Sequence, residues 1–173
     1  MLMEINKIEV GYLKTNCYVL KKDNDILIID PGDEFNKIEP YLNGNVLGII
    51  ITHYHFDHIG AIEDIQKKYN VKIYDINNLN DNNTIGSFSF KMIKTPGHKS
   101  DLISLLFDNH LFCGDFIFEN AIGRVDLPTG DYNQMKESIA KIIKLPKSTI
   151  IYPGHGNITS LDKEYNNLLN YLR

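Results

Sequence analysis

Apolar positions in the first 50 residues either alternate with polar ones or run together in short stretches. Segments Glu4–Val10, 16–21 and 25–30 are rich in β-branched and aromatic residues, and Lys22-Asp23-Asn24 supplies a turn, so three strands are predicted. Pro31-Gly32 ends the third. Positions 34–42 are weakly helical, with Pro40 limiting their length. The continuous apolar run 46–51 predicts a buried strand. From His58 the period changes: Ile59, Ile62, Ile65 and Tyr69 share one helical face, while Glu63, Lys67 and Lys68 lie elsewhere.

A second strand-rich run follows, with strands predicted at 71–74, 87–94, 102–107 and 111–113 and a turn at Asp108-Asn109-His110. Segment 76–83 has no core pattern and reads as a solvated polar loop. A long connection, 116–130, holds Gly123, Pro128 and Gly130. Helices are predicted at 131–144, capped by Asp131, and at 160–173, capped by Ser160, with a strand at 149–152 between them. Two strand-rich runs, each followed by helices, point to an α+β fold in which two sheets pack together with helices outside, burying both faces of each sheet.

Length and charge narrow the picture. A chain of 173 residues suits one domain with a sizeable core. A net charge of −4 gives no attraction for nucleic acid or anionic membrane. No stretch approaches the ~20 apolar residues of a membrane helix, and the N-terminus lacks the apolar core of a signal peptide. The two cysteines, Cys17 and Cys113, imply no disulfide framework. A cytoplasmic protein acting on a small molecule is expected; the oligomeric state is left open.

The chemistry is concentrated at strand ends. Directly after the run 46–51 the chain reads Thr52-His53-Tyr54-His55-Phe56-Asp57-His58. Three later strands end in Thr95-Pro96-Gly97-His98, Cys113-Gly114-Asp115 and Tyr152-Pro153-Gly154-His155, each with a glycine that permits a tight turn beside the ligand-type side chain. Loops at one rim of a sheet sandwich would bring these groups together. His53 and His55 project to the same side of an extended segment. Asp57 and His58 are adjacent and point differently, so one loop can serve two neighbouring cations. His110, in a hairpin turn, is expected to take no part.

Thr52-His53-x-His55-x-Asp57-His58, with His98, Asp115 and His155, resembles the metallo-β-lactamase fold superfamily, and within it the short, single-domain glyoxalase II-like hydrolases. The resemblance extends to Asn16-Cys17-Tyr18, Ile29-Asp30-Pro31-Gly32, Gly123-Arg124-x-Asp126-Leu127-Pro128 and Pro153-Gly154-His155-Gly156. It implies a four-layer αββα sandwich with two mixed sheets over residues 1–173. It implies two divalent metal ions, Zn²⁺ first with Fe or Mn admitted by the all-N/O donor set. His53, His55 and His98 would hold one ion, Asp57, His58 and His155 the other, with Asp115 bridging. Asp30 is placed to hydrogen-bond a ligand imidazole. Two divalent ions balanced by Asp57, Asp115 and a bridging hydroxide leave one positive charge for a substrate oxygen or thiolate. The implied reaction is hydroxide attack on a thioester such as S-lactoylglutathione.

The chain stops about one helix beyond His155, without the C-terminal helical region that contacts glutathione in longer relatives, so weaker or broader substrate binding is expected. A lactonase or other esterase is the same chemistry on another substrate. A mononuclear-iron persulfide dioxygenase of the same fold is the alternative from another reaction class; it needs two histidines and an aspartate, whereas this chain keeps all seven candidate ligands. Acidic balance and the lack of a basic patch argue against a nuclease. Arg124, one of two arginines, either fixes its loop through Asp126 or contacts an anionic substrate. Tyr54 and Phe56 alternate with the histidines and either wall the cleft or pack. Cys17 reads as core and Cys113 as a small buried residue.

Overall fold

The computed structural model describes residues 2–173. Strands β1 (Glu4–Val10), β2 (Thr15–Lys22), β3 (Asp25–Ile29), β4 (Asn45–Ile50) and β5 (Lys72–Tyr74) form the first sheet in that order. β1, β2 and β3 are antiparallel neighbours, whereas β3, β4 and β5 run parallel. The crossovers that parallel pairing demands carry α1 (Phe35–Ile38) and α2 (Ile62–Tyr69).

The second sheet contains β6 (Asn82–Ile85), β7 (Phe88–Lys94), β8 (Ile103–Phe107) and β9 (His110–Gly114). A small hairpin, β10 (Ile117–Phe118) and β11 (Ala121–Ile122), and helix α3 (Tyr132–Ile142) precede its last two strands, β12 (Ile150–Pro153) and β13 (Thr159–Ser160). Its order is β13-β12-β9-β8-β7-β6, with β9 and β12 parallel and the other pairs antiparallel. Helix α4 (Leu161–Leu172) closes the described chain.

The apolar runs of the central strands are long because those strands bury both faces. Tyr18, Leu20, Leu27, Ile29 and Ile50 point between the sheets and meet Phe90, Leu105, Phe112 and Tyr152. Their neighbours in sequence, Cys17, Val19, Ile26, Ile28, Ile49 and Ile51, face the other way onto Ile38 and Ile65 of α1 and α2. Likewise Leu111, Cys113 and Ile151 lie on Met135, Ile139 and Leu168 of α3 and α4. The period-2 alternation therefore separates two buried layers, and the result is helix, sheet, sheet, helix.

Several elements depart from the pattern-based expectation. Segment 76–83, expected as a solvated loop, leads into β6, and its Leu79 is buried between the sheets. The alternation in Asn82–Ile85 is half-buried edge strand, whose polar face hid it among the asparagines. β10, β11 and β13 are two-residue strands, too short for a pattern to register. The helix expected from His58 begins at Ile62, after a single 3-10 turn at Phe56–His58. Segment 34–42 splits into α1 and a 3-10 turn, Glu39–Tyr41, with Pro40 in its first positions. Asp131 and Ser160 cap α3 and α4 as expected, accepting from the amides of Gln134 and Lys163.

Where the sheets meet at one rim they are stitched by backbone. Ile103 N donates to Thr52 O at 3.0 Å and Asn16 N to Gly154 O at 2.7 Å. The Tyr18 hydroxyl donates to Pro153 O at 2.6 Å. Below this rim, Phe112 sits at the centre of an aromatic group: edge-on to Tyr18 at 5.2 Å and stacked on Tyr152 at 4.6 Å. Phe112→Ala is expected to cost about 3–5 kcal/mol of stability. A urea midpoint shift equivalent to less than about 1 kcal/mol, with unchanged slope, would show that the two sheets do not depend on this contact.

Candidate metal centre

Five strand ends deliver the polar groups to that rim. β3 ends in Asp30, β4 in residues 51–58, β7 in residues 95–98, β9 in Asp115, and β12 in Gly154-His155. Glycines make the approach possible. A Cβ on Gly154 would stand 2.2 Å from Asp115 Oδ1, and one on Gly32 1.8 Å from the carbonyl oxygen of Asp57. Neither position admits a side chain without moving the loop that carries an acidic residue.

The seven residues singled out at strand ends converge. His53, His55, His98 and Asp115 place one ligand-type atom each within 4.8 Å of one another, and Asp57, His58 and His155 do the same. In the first group His55 Nδ1 lies 3.0 Å from both His53 Nε2 and His98 Nε2. In the second, His155 Nε2 and His58 Nε2 lie 3.2 and 3.6 Å from Asp57 Oδ2. Asp115 lies between them: its Oδ2 is 3.6 Å from His98 Nε2 and 3.5 Å from His155 Nε2, and its Oδ1 is 3.4 Å from His58 Nε2.

Hydrogen bonds behind the rings fix which nitrogen faces inward. Asp30, buried and at φ 51°, accepts from Thr52 N at 2.8 Å, from Thr52 Oγ1 at 2.6 Å and from His58 Nδ1 at 3.0 Å. With its proton on Asp30, Thr52 Oγ1 accepts from His53 Nδ1 at 3.0 Å. His98 Nδ1 donates to Arg124 O at 2.8 Å and His155 Nδ1 to Leu13 O at 3.1 Å. In these four rings Nδ1 is the nitrogen held from behind, so Nε2 is the one that, in the neutral ring, offers a lone pair to the centre.

Such an arrangement fits a cation better than it fits itself. His55 Nδ1 can offer at most one hydrogen to two facing acceptors. His58 Nε2 and Asp115 Oδ1 are buried with no hydrogen-bond partner, a state that normally costs stability. Ligand atoms about 2.0–2.1 Å from a tetrahedral ion stand roughly 3.3 Å apart, and the observed separations of 3.0–3.6 Å bracket that spacing.

Electrostatics separates the two halves. Burial holds His53 well below the ordinary imidazole range, and its histidine neighbours add to the effect. Burial also lowers His55, with His98 contributing. Burial works against the charged form of His58, but Asp30 and Asp115 outweigh it and raise its pKa to about 10. For His155 burial is again outweighed, by Asp115 and Asp57, to about 10. The same contacts overcome the burial cost of the carboxylates, lowering Asp57 to about 2 and holding Asp115 well below the usual range. Without metal, protons on His58 and His155 play the part of a cation.

A cleft of about 710 Å³ opens over the centre. Its floor is His55, Asp57, His98, Asp115 and His155; its walls are Leu13, Phe56, Phe118, Arg124, Leu127 and Gly156. Tyr54 is not part of this lining, and its hydroxyl donates to Asp75 at 2.6 Å. Arg124 forks onto Asp126 at 2.9 and 2.8 Å, and both side chains are exposed. Cys113 is buried and directs Sγ to Ile117 O at 3.4 Å, and burial pushes its thiol up to about 12. Cys17 is buried in the core. His110 meets the Tyr152 hydroxyl, away from the rim.

Sequence reasoning passed over several contributors. Thr15 Oγ1 donates to Asp57 Oδ2 at 2.9 Å, and Thr52 links Asp30 to His53. Thr52 stood inside the motif and could have been singled out; the carbonyls of Leu13 and Arg124 leave no mark in a sequence.

The family model described as the metallo-beta-lactamase superfamily matches residues 10–79 and 78–155. The chain belongs to that superfamily. A probable metallo-hydrolase of Bacillus subtilis, YqgX, is 30% identical over 97% of this chain and 98% of its own length. A hydroxyacylglutathione hydrolase of Hahella chejuensis is 34% identical over 76% of this chain but only 57% of that protein. Among solved structures, BLEG-1 B3 metallo-beta-lactamase superposes with a TM-score of 0.89 at 30% identity, covering 94% of this chain and 97% of the other. A di-iron-bound form of TTHA1623 superposes at 0.85 and 25% identity, covering 94% and 98%. The superfamily is one of metal-binding hydrolases, and the αββα architecture of two mixed sheets with helices outside is shared with these structures. No helix among the described residues is long and apolar enough to cross a membrane.

The titrations give a pH dependence. His58 and His155, raised from 6.5 to about 10, stabilise the metal-free protein fully below about pH 6.5, and that contribution is lost as pH rises towards 10. Asp57, lowered to about 2, contributes above its ordinary 3.8 and is lost only as pH falls through about 2. A metal needs the deprotonated rings. The metal-free protein should therefore melt lower at about pH 9 than at about pH 6, and the Tm gain on adding Zn²⁺ should grow over the same interval. Calorimetry showing a Tm gain that shrinks with pH would contradict this account of the protons.

Proposed function

We propose that this chain is a hydrolase whose centre holds two divalent metal ions and which cleaves thioesters. The observation that carries the reading is the position of Asp115 Oδ2, 3.6 Å from His98 of one cluster and 3.5 Å from His155 of the other. A carboxylate placed there is suited to bridge. His53, His55 and His98 would hold one ion and Asp57, His58 and His155 the other. The donor set contains no thiolate, which suits Zn²⁺ and admits Fe or Mn. The di-iron-bound relative supports two ions and leaves their identity in this chain open to assay.

Two ions in such a site activate water near neutral pH and polarise an acyl carbonyl. The chain's own residues do the rest. Asp57 and Asp115 offset part of the cationic charge and leave a surplus for a developing oxyanion. Asp30, Thr52 and the carbonyls of Arg124 and Leu13 hold the rings in the tautomer that faces the centre. Thr15 fixes the Asp57 carboxylate.

The rest of the lining favours a thioester. Beyond the two clusters the cleft offers no carboxyl, hydroxyl or imidazole to protonate a departing group. A thiolate, with a pKa of about 8.5, leaves without such help, whereas an alkoxide or amine does not. The hydroxyacylglutathione hydrolase relative points to the same bond type, and S-lactoylglutathione is the reference substrate that the resemblance implies. A full second cluster around His155 also favours hydrolysis over oxidation at a single iron.

Removing metal with a chelator should abolish thioester turnover, and Zn²⁺ or Mn²⁺ should restore it. Loss of a group behind the ligands typically costs 10–100-fold, so His155→Ala should lower kcat by about 100-fold or more. Undiminished turnover in metal-free protein would rule the reading out.

A further inference from the structure

The walls of the cleft differ from its floor. Leu13, Phe56, Phe118 and Leu127 face the opening. Phe56 is 64% exposed and Leu13 43%, an unusual outlay of apolar surface directly beside a charged centre. Four segments supply them, Leu127 coming from the connection between β11 and α3. Leu13 comes from the β1–β2 turn, where Gly11 and Lys14 both have positive φ. Phe56 sits in the 3-10 turn between His55 and Asp57, and Phe118 in the β10–β11 hairpin. Apolar side chains from separate segments at one mouth make a collar.

The cation on the cleft's walls that might hold an anionic substrate is already engaged. Arg124 is the one cationic side chain among the cleft's walls, and Asp126 takes its fork with two hydrogen bonds. The pair is exposed and so holds weakly. Even if Arg124 let go, the freed Asp126 carboxylate would repel an anion at the same place. Lys7 approaches from outside but donates to Gly156 O at 2.9 Å and lies 3.9 Å from Glu9. The two carboxylates of a glutathione group would find no unpaired positive partner on these walls.

We infer that the substrate is a thioester whose acyl group is apolar and whose thiol portion carries no charged substituent, the acyl chain lying in the collar of Leu13, Phe56, Phe118 and Leu127. The inference rests on the hydrolase reading and sharpens it. The carbonyl meets the floor of the cleft, and the chain beyond it covers apolar surface that otherwise stays in water. Each methylene buried in this way should improve kcat/KM roughly fourfold, until the cleft is filled.

Two measurements on the metal-loaded protein test this. In the first, N-acetylcysteamine thioesters from acetyl to octanoyl are compared with glutathione thioesters of the same acids. A rise of roughly fourfold per methylene, with no gain from glutathione, is expected. A flat profile, or a preference of about tenfold or more for glutathione, overturns the inference while leaving the hydrolase reading intact. In the second, acetate, butanoate, hexanoate and octanoate are titrated calorimetrically. Affinity should rise with chain length, and Phe56→Ala and Leu127→Ala should each flatten the series. If no thioester is cleaved yet the series holds, the hydrolase reading falls and the apolar site stands. If the series is flat, the site falls regardless of turnover.

Discussion

The structure turns on one buried carboxylate. Asp30 lies where β3 ends, in a left-handed conformation that aspartate tolerates better than most residues. Its two oxygens gather the amide and hydroxyl of Thr52 and the imidazole of His58. Through Thr52 it also orients His53. One residue thereby ties the end of β4 to both halves of the centre and sets which nitrogens face inward. The aligned lone pairs and the carboxylates of Asp57 and Asp115 form a group that is ill-suited to its own company. A cation, or protons on His58 and His155, must satisfy it.

The fold makes that crowding tolerable. Two sheets whose central strands bury both faces supply a rigid base, and their shared rim is closed by backbone hydrogen bonds at Thr52 and Gly154. Gly32 and Gly154 let the loops approach more closely than any side chain would allow. The aromatic group around Phe112 lies directly beneath, so core packing and ligand placement share the strands β9 and β12.

Much of this was legible in the sequence because the responsible residues are chemically distinctive. Histidines and aspartates placed after apolar runs beside glycine can be seen without coordinates, and the convergence of His53, His55, His58, His98 and His155 with Asp57 and Asp115 follows from strand ends sharing a rim. What stayed hidden has physical reasons. The carbonyls of Leu13 and Arg124 hold two of the rings, and every residue has a carbonyl. Tyr54 alternates with the ligand-type histidines, but its reach to Asp75 depends on how β5 ends. β6 escaped notice because an edge strand with a polar outer face resembles an asparagine-rich loop. The apolar walls were invisible for a related cause: Leu13, Phe118 and Leu127 are far apart in sequence and become neighbours only through the loops.

We propose that Asp115 lies between two metal ions. Anomalous diffraction from crystals of the Zn²⁺-loaded protein measures this directly. Two peaks roughly 3.5–4 Å apart are predicted, one among His53, His55 and His98 and the other among Asp57, His58 and His155, with the Asp115 carboxylate contacting both. A single peak at full Zn²⁺ saturation, or two peaks with Asp115 bound to neither or only one, would contradict it.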